Sequence, residues 1–139
     1  MDPAAGAEVA DTVPTGARWR LWAVEVVLVT DGTAANRNTA IFIDDAGSTI
    51  TRRLLLTDTT NQTATQTRTH HWSPGTESNT AASTSIVDGA ITLLAKFPMS
   101  LQRGILLFAG YNIRTVTTGI VAGDNYGVAR YIVEEWLEQ

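Results

Sequence analysis

Few side chains in this sequence have the types that could do chemistry, and their spacing works against most of it. His70 and His71 are the only histidines. Neighbours on an extended strand point to opposite faces, so this pair cannot close on one metal ion, and packing beside Trp72 is the simpler role. No nucleophile elbow or oxyanion-hole pattern accompanies either imidazole, which leaves a Ser–His–Asp hydrolase without its frame. Asp44-Asp45 and Glu134-Glu135 have the residue types of a glycosidase acid and base, yet adjacent carboxylates on a strand diverge. Asp44-Asp45 also runs into Ala46-Gly47 and reads as turn chemistry, since Asp side chains bond local amides. Gly119, Gly123 and Gly127 lie between two strand candidates, without the strand-to-helix context of a phosphate cradle. No catalytic, cofactor or metal site is expected.

Composition narrows the classes further. There is no cysteine, which removes disulfides, thiolate zinc sites and cysteine nucleophiles and suits folding in a reducing cytoplasm. The net charge is -4, and nine of the ten cationic side chains are Arg, with Lys96 the single lysine. That balance argues against nonspecific nucleic-acid binding. Arg18, Arg20 and Arg52-Arg53 suit ion pairs across strands or subunits. Trp19, Trp22, Trp72 and Trp136 suit core or interface anchors, with carbohydrate stacking as the other use of such rings. The N-terminus lacks a basic start and an apolar run, so no secretory signal is expected and the Asn61-Gln62-Thr63 acceptor pattern is incidental. Leu21–Val29, the longest nearly apolar stretch, is interrupted by Glu25 and falls far short of the roughly 20 residues a membrane-spanning helix needs.

The elements that would carry these residues read as strands. Threonine makes up 21 of the 139 residues, and β-branched side chains fit a pleated surface better than a helix. Arg18–Thr30 is apolar on both parities, which marks a central strand. Trp22, Val24, Val26 and Leu28 share one face, and Arg18 and Arg20 precede them on the same parity. Further candidates are Asn38–Asp45, Ser48–Thr57, Ala64–Trp72, Ser85–Val87 with Ala90–Lys96, Ile105–Phe108 and Tyr111–Thr118. In Tyr126–Leu137 the acidic end is helix-compatible, but alternating β-branched residues favour a strand. About eight antiparallel strands, separated by Gly, Pro, Asp and Asn turns, predict an all-β sandwich or jelly roll over residues 17–139. Residues 1–16, rich in Ala, Gly, Pro and Asp, predict a flexible N-terminal arm.

Two stretches carry a resemblance. From Ala17 to Asp45 (ARWRLWAVEVVLVTDGTAANRNTAIFIDD) and from Gly110 to Glu138 (GYNIRTVTTGIVAGDNYGVARYIVEEWLE) the sequence resembles small virion proteins of tailed bacteriophages. Within that group its length and the lack of a fibre-like extension resemble the jelly-roll capsid cement, or decoration, proteins of short-tailed phages. The two stretches make up under half of the chain, and Thr57–Ala90 takes no part. The resemblance implies a homodimeric jelly-roll subunit, made in the bacterial host cytoplasm, on the outer capsid surface of the virion. There it would clamp neighbouring copies of the phage major capsid protein against the pressure of packaged DNA, with no cofactor and no direct contact with nucleic acid or membrane.

The residues expected to make protein contacts are Ala4, Val9, Val13 and Pro14 of the arm, Arg68, His70 and Trp72 of the polar strand face, and Trp136 and Leu137 at the C-terminal end. A tail or baseplate virion subunit and a receptor- or glycan-binding β-sandwich module are the alternative functions.

Overall fold

The computed structural model describes residues 2–45, 52–57, 61–74, 83–87, 90–97 and 104–137. The expected turn at Ala46-Gly47, the start of the third strand at Ser48 and the loop through Ser78 and Asn79 lie outside the described residues. Every regular element among the described residues is a strand: β1 (Ala10–Thr12), β2 (Ala17–Val29), β3 (Asn38–Asp44), β4 (Arg52–Thr57), β5 (Thr67–Pro74), β6 (Ser83–Val87), β7 (Ala90–Phe97), β8 (Ile105–Leu107), β9 (Asn112–Thr118), β10 (Asn125–Tyr126) and β11 (Arg130–Leu137). The count exceeds the expected eight partly because the arm contributes β1 and the C-terminal segment divides at Gly127–Ala129 into β10 and β11.

The strands form an all-β sandwich. One sheet has the order β1-β9-β3-β4; the other runs β10-β2-β5-β7-β6, with β11 and β8 also paired to β2. Ile41, Ile43 and Ile113 of the first sheet and Leu21, Val24, Val26, Leu28 and Trp72 of the second belong to one buried cluster. One pair departs from the expected antiparallel arrangement, since β5 and β7 are parallel over Thr67–Pro74 and Ala90–Phe97. β6 takes the outer edge and β7 returns antiparallel to it into the place beside β5, so β7 runs in the direction of β5.

β2 organises the larger sheet. Its first half lies between β11 and β8, and its second half pairs with β5 and, through Val29 and Leu28, with β10. The buried parity switches within it: Leu21 and Ala23 are buried, then Val24, Val26 and Leu28. The pairing with β11 slips at the same place, because Ile132 faces Ala23 while Val133 faces Leu21, so Trp22 is the extra residue of a β-bulge. Trp22 is therefore half-buried and not in series with Val24, Val26 and Leu28 as the alternation predicts. The bulge places Arg18 and Arg20, both half-buried, on the outer face while core residues of the same parity further along the strand point inward.

The N-terminal segment corrects another expectation. It is not a free arm in this structure: β1 pairs antiparallel with β9, and the Gly6 amide donates to the Asp124 carbonyl at 2.7 Å. Val9 and Val13, on one parity, are buried in the core. Glu8 fastens the segment. Its carboxylate accepts from the Thr115 hydroxyl at 2.6 Å, the Thr117 hydroxyl at 3.2 Å and the Thr117 amide. Thr117 in turn is bonded to the Tyr126 hydroxyl, which also meets Thr39 Oγ1 at 3.1 Å. The apolar pair and this buried polar chain together outweigh the flexible composition that suggested disorder.

Candidate functional site

Two buried polar clusters and one exposed face are the places where function could reside. The first cluster centres on Arg37. All five guanidinium N–H groups are used: Nε on Asp124 Oδ2 at 2.9 Å, Nη2 on Asp124 Oδ1 at 2.8 Å and Asp31 Oδ1 at 3.0 Å, and Nη1 on the Thr33 and Ala35 carbonyls at 2.9 Å. Asp124 also accepts from the Asp31 and Val121 amides. Burial pushes the Asp124 carboxyl up, but Arg37 and those two amides outweigh it and hold it below the usual carboxylate range. The hydrogen bond to Asp124 in turn raises the Arg37 guanidinium against the opposing effect of burial. With every donor satisfied and both side chains fully buried, the cluster locks the 30–37 and 121–124 loops together. Sequence reasoning gave Arg37 no role; a lone Arg between small polar residues carries no periodic signal.

The second cluster holds His70, whose Nε2 lies 3.3 Å from Gln62 Oε1 and whose ring stacks on Trp72 at 5.9 Å between centroids. His71 faces the other way, with Nδ1 3.7 Å from Glu25 Oε2, as strand geometry requires. Among the described residues no three His, Cys, Asp or Glu side chains gather as a metal site would need.

Arg68, His70 and Trp72 are therefore not a partner-facing surface. All three are buried, because the register sets Trp72 beside Val24, His70 beside Val26 and Arg68 beside Leu28, the inward positions of β2. The polar residue types disguised an interior face. Of the other expected contact residues, Ala4 and Pro14 are exposed, Val9 and Val13 lie in the core, and Trp136 and Leu137 are exposed, at 42% and 76%.

Trp136 belongs to a larger exposed face that sequence reasoning otherwise missed. The first half of β2 presents Arg18 and Arg20, flanked by Leu106 and Phe108 at β8 and by Ile132, Glu134 and Trp136 on β11. The Arg18 guanidinium lies 4.9 Å from the Phe108 ring centre, and that of Arg20 lies 5.1 Å from Trp136 while bonding Glu134 at 3.1 Å. Arg18, Arg20, Leu106 and Trp136 line a cleft of about 370 Å³. Of the large apolar side chains that are exposed, Leu106, Phe108, Val128, Ile132, Trp136 and Leu137 all belong to β8, β11 and the residues beside them. The run from Ile105 to Phe108 is apolar on both parities, so periodicity gave no sign of which side faces water.

An exposed apolar face with guanidinium groups laid over its aromatic rings has the make-up of a protein-binding surface, in which Trp and Arg commonly anchor. No family model, curated protein or solved structure matches this chain.

Proposed function

We infer that this chain is a structural virion subunit: a cement protein that binds the outside of a tailed-phage capsid, as a homodimer, and holds neighbouring major-capsid subunits together. The observation that carries the reading is the exposed face of Leu106, Phe108, Ile132 and Trp136, with Arg18 and Arg20 over its aromatic rings. Soluble chains seldom leave such a face uncovered unless something docks there. The stretches that resemble phage virion proteins supply β2, β3, β9, β10 and β11, and so include β2 and β11, two of the three elements that bear the face. On a lattice, many copies with modest contacts each add up through multivalency, which is how a small subunit reinforces a shell.

The reading is tested on virus particles assembled without this chain. They should rupture at a lower temperature than complete particles and regain their heat resistance when purified protein is added. Unchanged heat resistance and unchanged genome packaging would overturn the cementing role. A second reading has the cleft beside Trp136 behind it: a glycan-binding module that stacks a sugar on that ring. In that case Trp136→Ala abolishes binding on a glycan array and leaves particle heat resistance as it was.

A further inference from the structure

Among the described residues, β11 lies at an outer edge of the larger sheet. It is eight residues long, and among the described residues it is paired with β2 alone. Such an edge presents a row of amides and carbonyls that a further strand can bond, and natural sheets often blunt it with a bulge, a proline or brevity. β11 has none of these. The extra residue at the Ile132/Val133 shift lies on β2, and RYIVEEWL contains no proline. On its solvent face Ile132 is 62% exposed, between the charges of Arg130 and Glu134.

We propose that β11 pairs antiparallel with β11 of a second copy of this chain, about a two-fold axis that runs perpendicular to the sheet through Ile132. Residues opposed across an antiparallel pair point to the same face. A two-fold axis must therefore pass through a residue, because an axis between two residues would oppose an inward side chain to an outward one. An axis through Glu134 or Glu135 sets like carboxylates face to face, which is unfavourable. An axis through Val133 puts Ile132 against a carboxylate. The axis through Ile132 sets Arg130 opposite Glu134 of the second copy, twice by symmetry, and Ile132 opposite itself. Both charges already have partners within the chain, Glu25 for Arg130 and Arg20 for Glu134, and a second contact extends each pair into a network. The two larger sheets then join into one, and the apolar faces around Trp136 lie on the same side of it, toward its two ends.

This deepens the reading of the chain as a self-assembling subunit and rests on it, but it requires no capsid, so it is tested on the purified chain alone. Its failure leaves the particle experiment to decide the cementing role separately. Because the protein has no cysteine, Ile132→Cys introduces a single thiol at the axis. Mild oxidation should convert this variant to a disulfide-linked dimer on a non-reducing gel, and Val133→Cys should give far less. In sedimentation, Arg130→Glu should weaken the dimer by about tenfold or more, since it creates two opposed carboxylate pairs. Arg130→Glu with Glu134→Arg, made together with Glu25→Arg and Arg20→Glu so that both intrachain pairs are kept in reversed form, should restore it, and that recovery separates a broken interface from a broken fold. A chain that stays monomeric, that crosslinks through Val133→Cys in preference to Ile132→Cys, or that ignores the charge reversal overturns the proposal.

Discussion

Arg37 and Asp124 form a two-pronged ion pair, Nε to Oδ2 at 2.9 Å and Nη2 to Oδ1 at 2.8 Å, with both side chains closed off from solvent. Eighty-seven residues separate them, and the pair joins the loop after β2 to the loop before β10. Asp124→Ala leaves a buried guanidinium without its main partner and should cost about 3–5 kcal/mol. Urea unfolding of the variant measures this; a loss below about 1 kcal/mol, the scale of an exposed pair, would show that the cluster is no lock.

The same pair sets an acid limit. The Asp124 carboxyl titrates below its unfolded value of about 3.9, so its contribution to stability is present above that pH and is lost as pH falls through the folded value. The urea midpoint of the wild-type protein should fall steeply below about pH 4, and Asp124→Ala should flatten that limb. Parallel acid limbs in the two proteins would place the acid sensitivity elsewhere.

At the alkaline end the phenols govern. Burial, more than any other influence, raises the Tyr126 hydroxyl; burial and then the Asp11 carboxylate it bonds raise that of Tyr131. Unfolded tyrosine loses its proton near pH 10, whereas these keep theirs, so stability should decline as pH rises above about 10. Tyr126→Phe breaks the contacts to Thr39 and Thr117 and should cost roughly 1–3 kcal/mol at neutral pH while making the alkaline decline shallower. Stability measured from pH 8 to 11 separates the two effects.

The N-terminal segment should behave as part of the fold. Removing residues 2–14 strips two buried valines and the strand that covers the β9 edge, and the valines alone are worth roughly 3–6 kcal/mol. A truncated chain with an unchanged thermal midpoint would restore the picture of a free arm.

How much of this was legible in the residues depends on how each segment announces its inner face. β3 and β9 carry apolar or β-branched residues at their inner positions, β2 is apolar on both parities, and all three strands fall within a residue or so of the boundaries read from sequence. Arg68, His70 and Trp72 misled because their burial comes from a register with Val24, Val26 and Leu28, and the side chains that make an interior His acceptable, such as Gln62, sit on another segment. The bulge at Trp22 left no local signature either, yet it decides that Arg18 and Arg20 lie on the outer face. Trp136 and Leu137 were found as contact candidates; Leu106, Phe108 and Ile132 emerge only once β8 and β11 are seen to flank β2. The Arg37 cluster joins residues distant along the chain, which no window of sequence displays.

The most direct test of the cement reading is to bind the purified chain to phage shells that lack it and to count the copies taken up per particle. The reading predicts saturation at hundreds of copies, on the outer surface, with binding weakened about tenfold or more by Trp136→Ala, a truncation on the scale of an interface anchor. A particle that takes up only a handful of copies, or none, would contradict it.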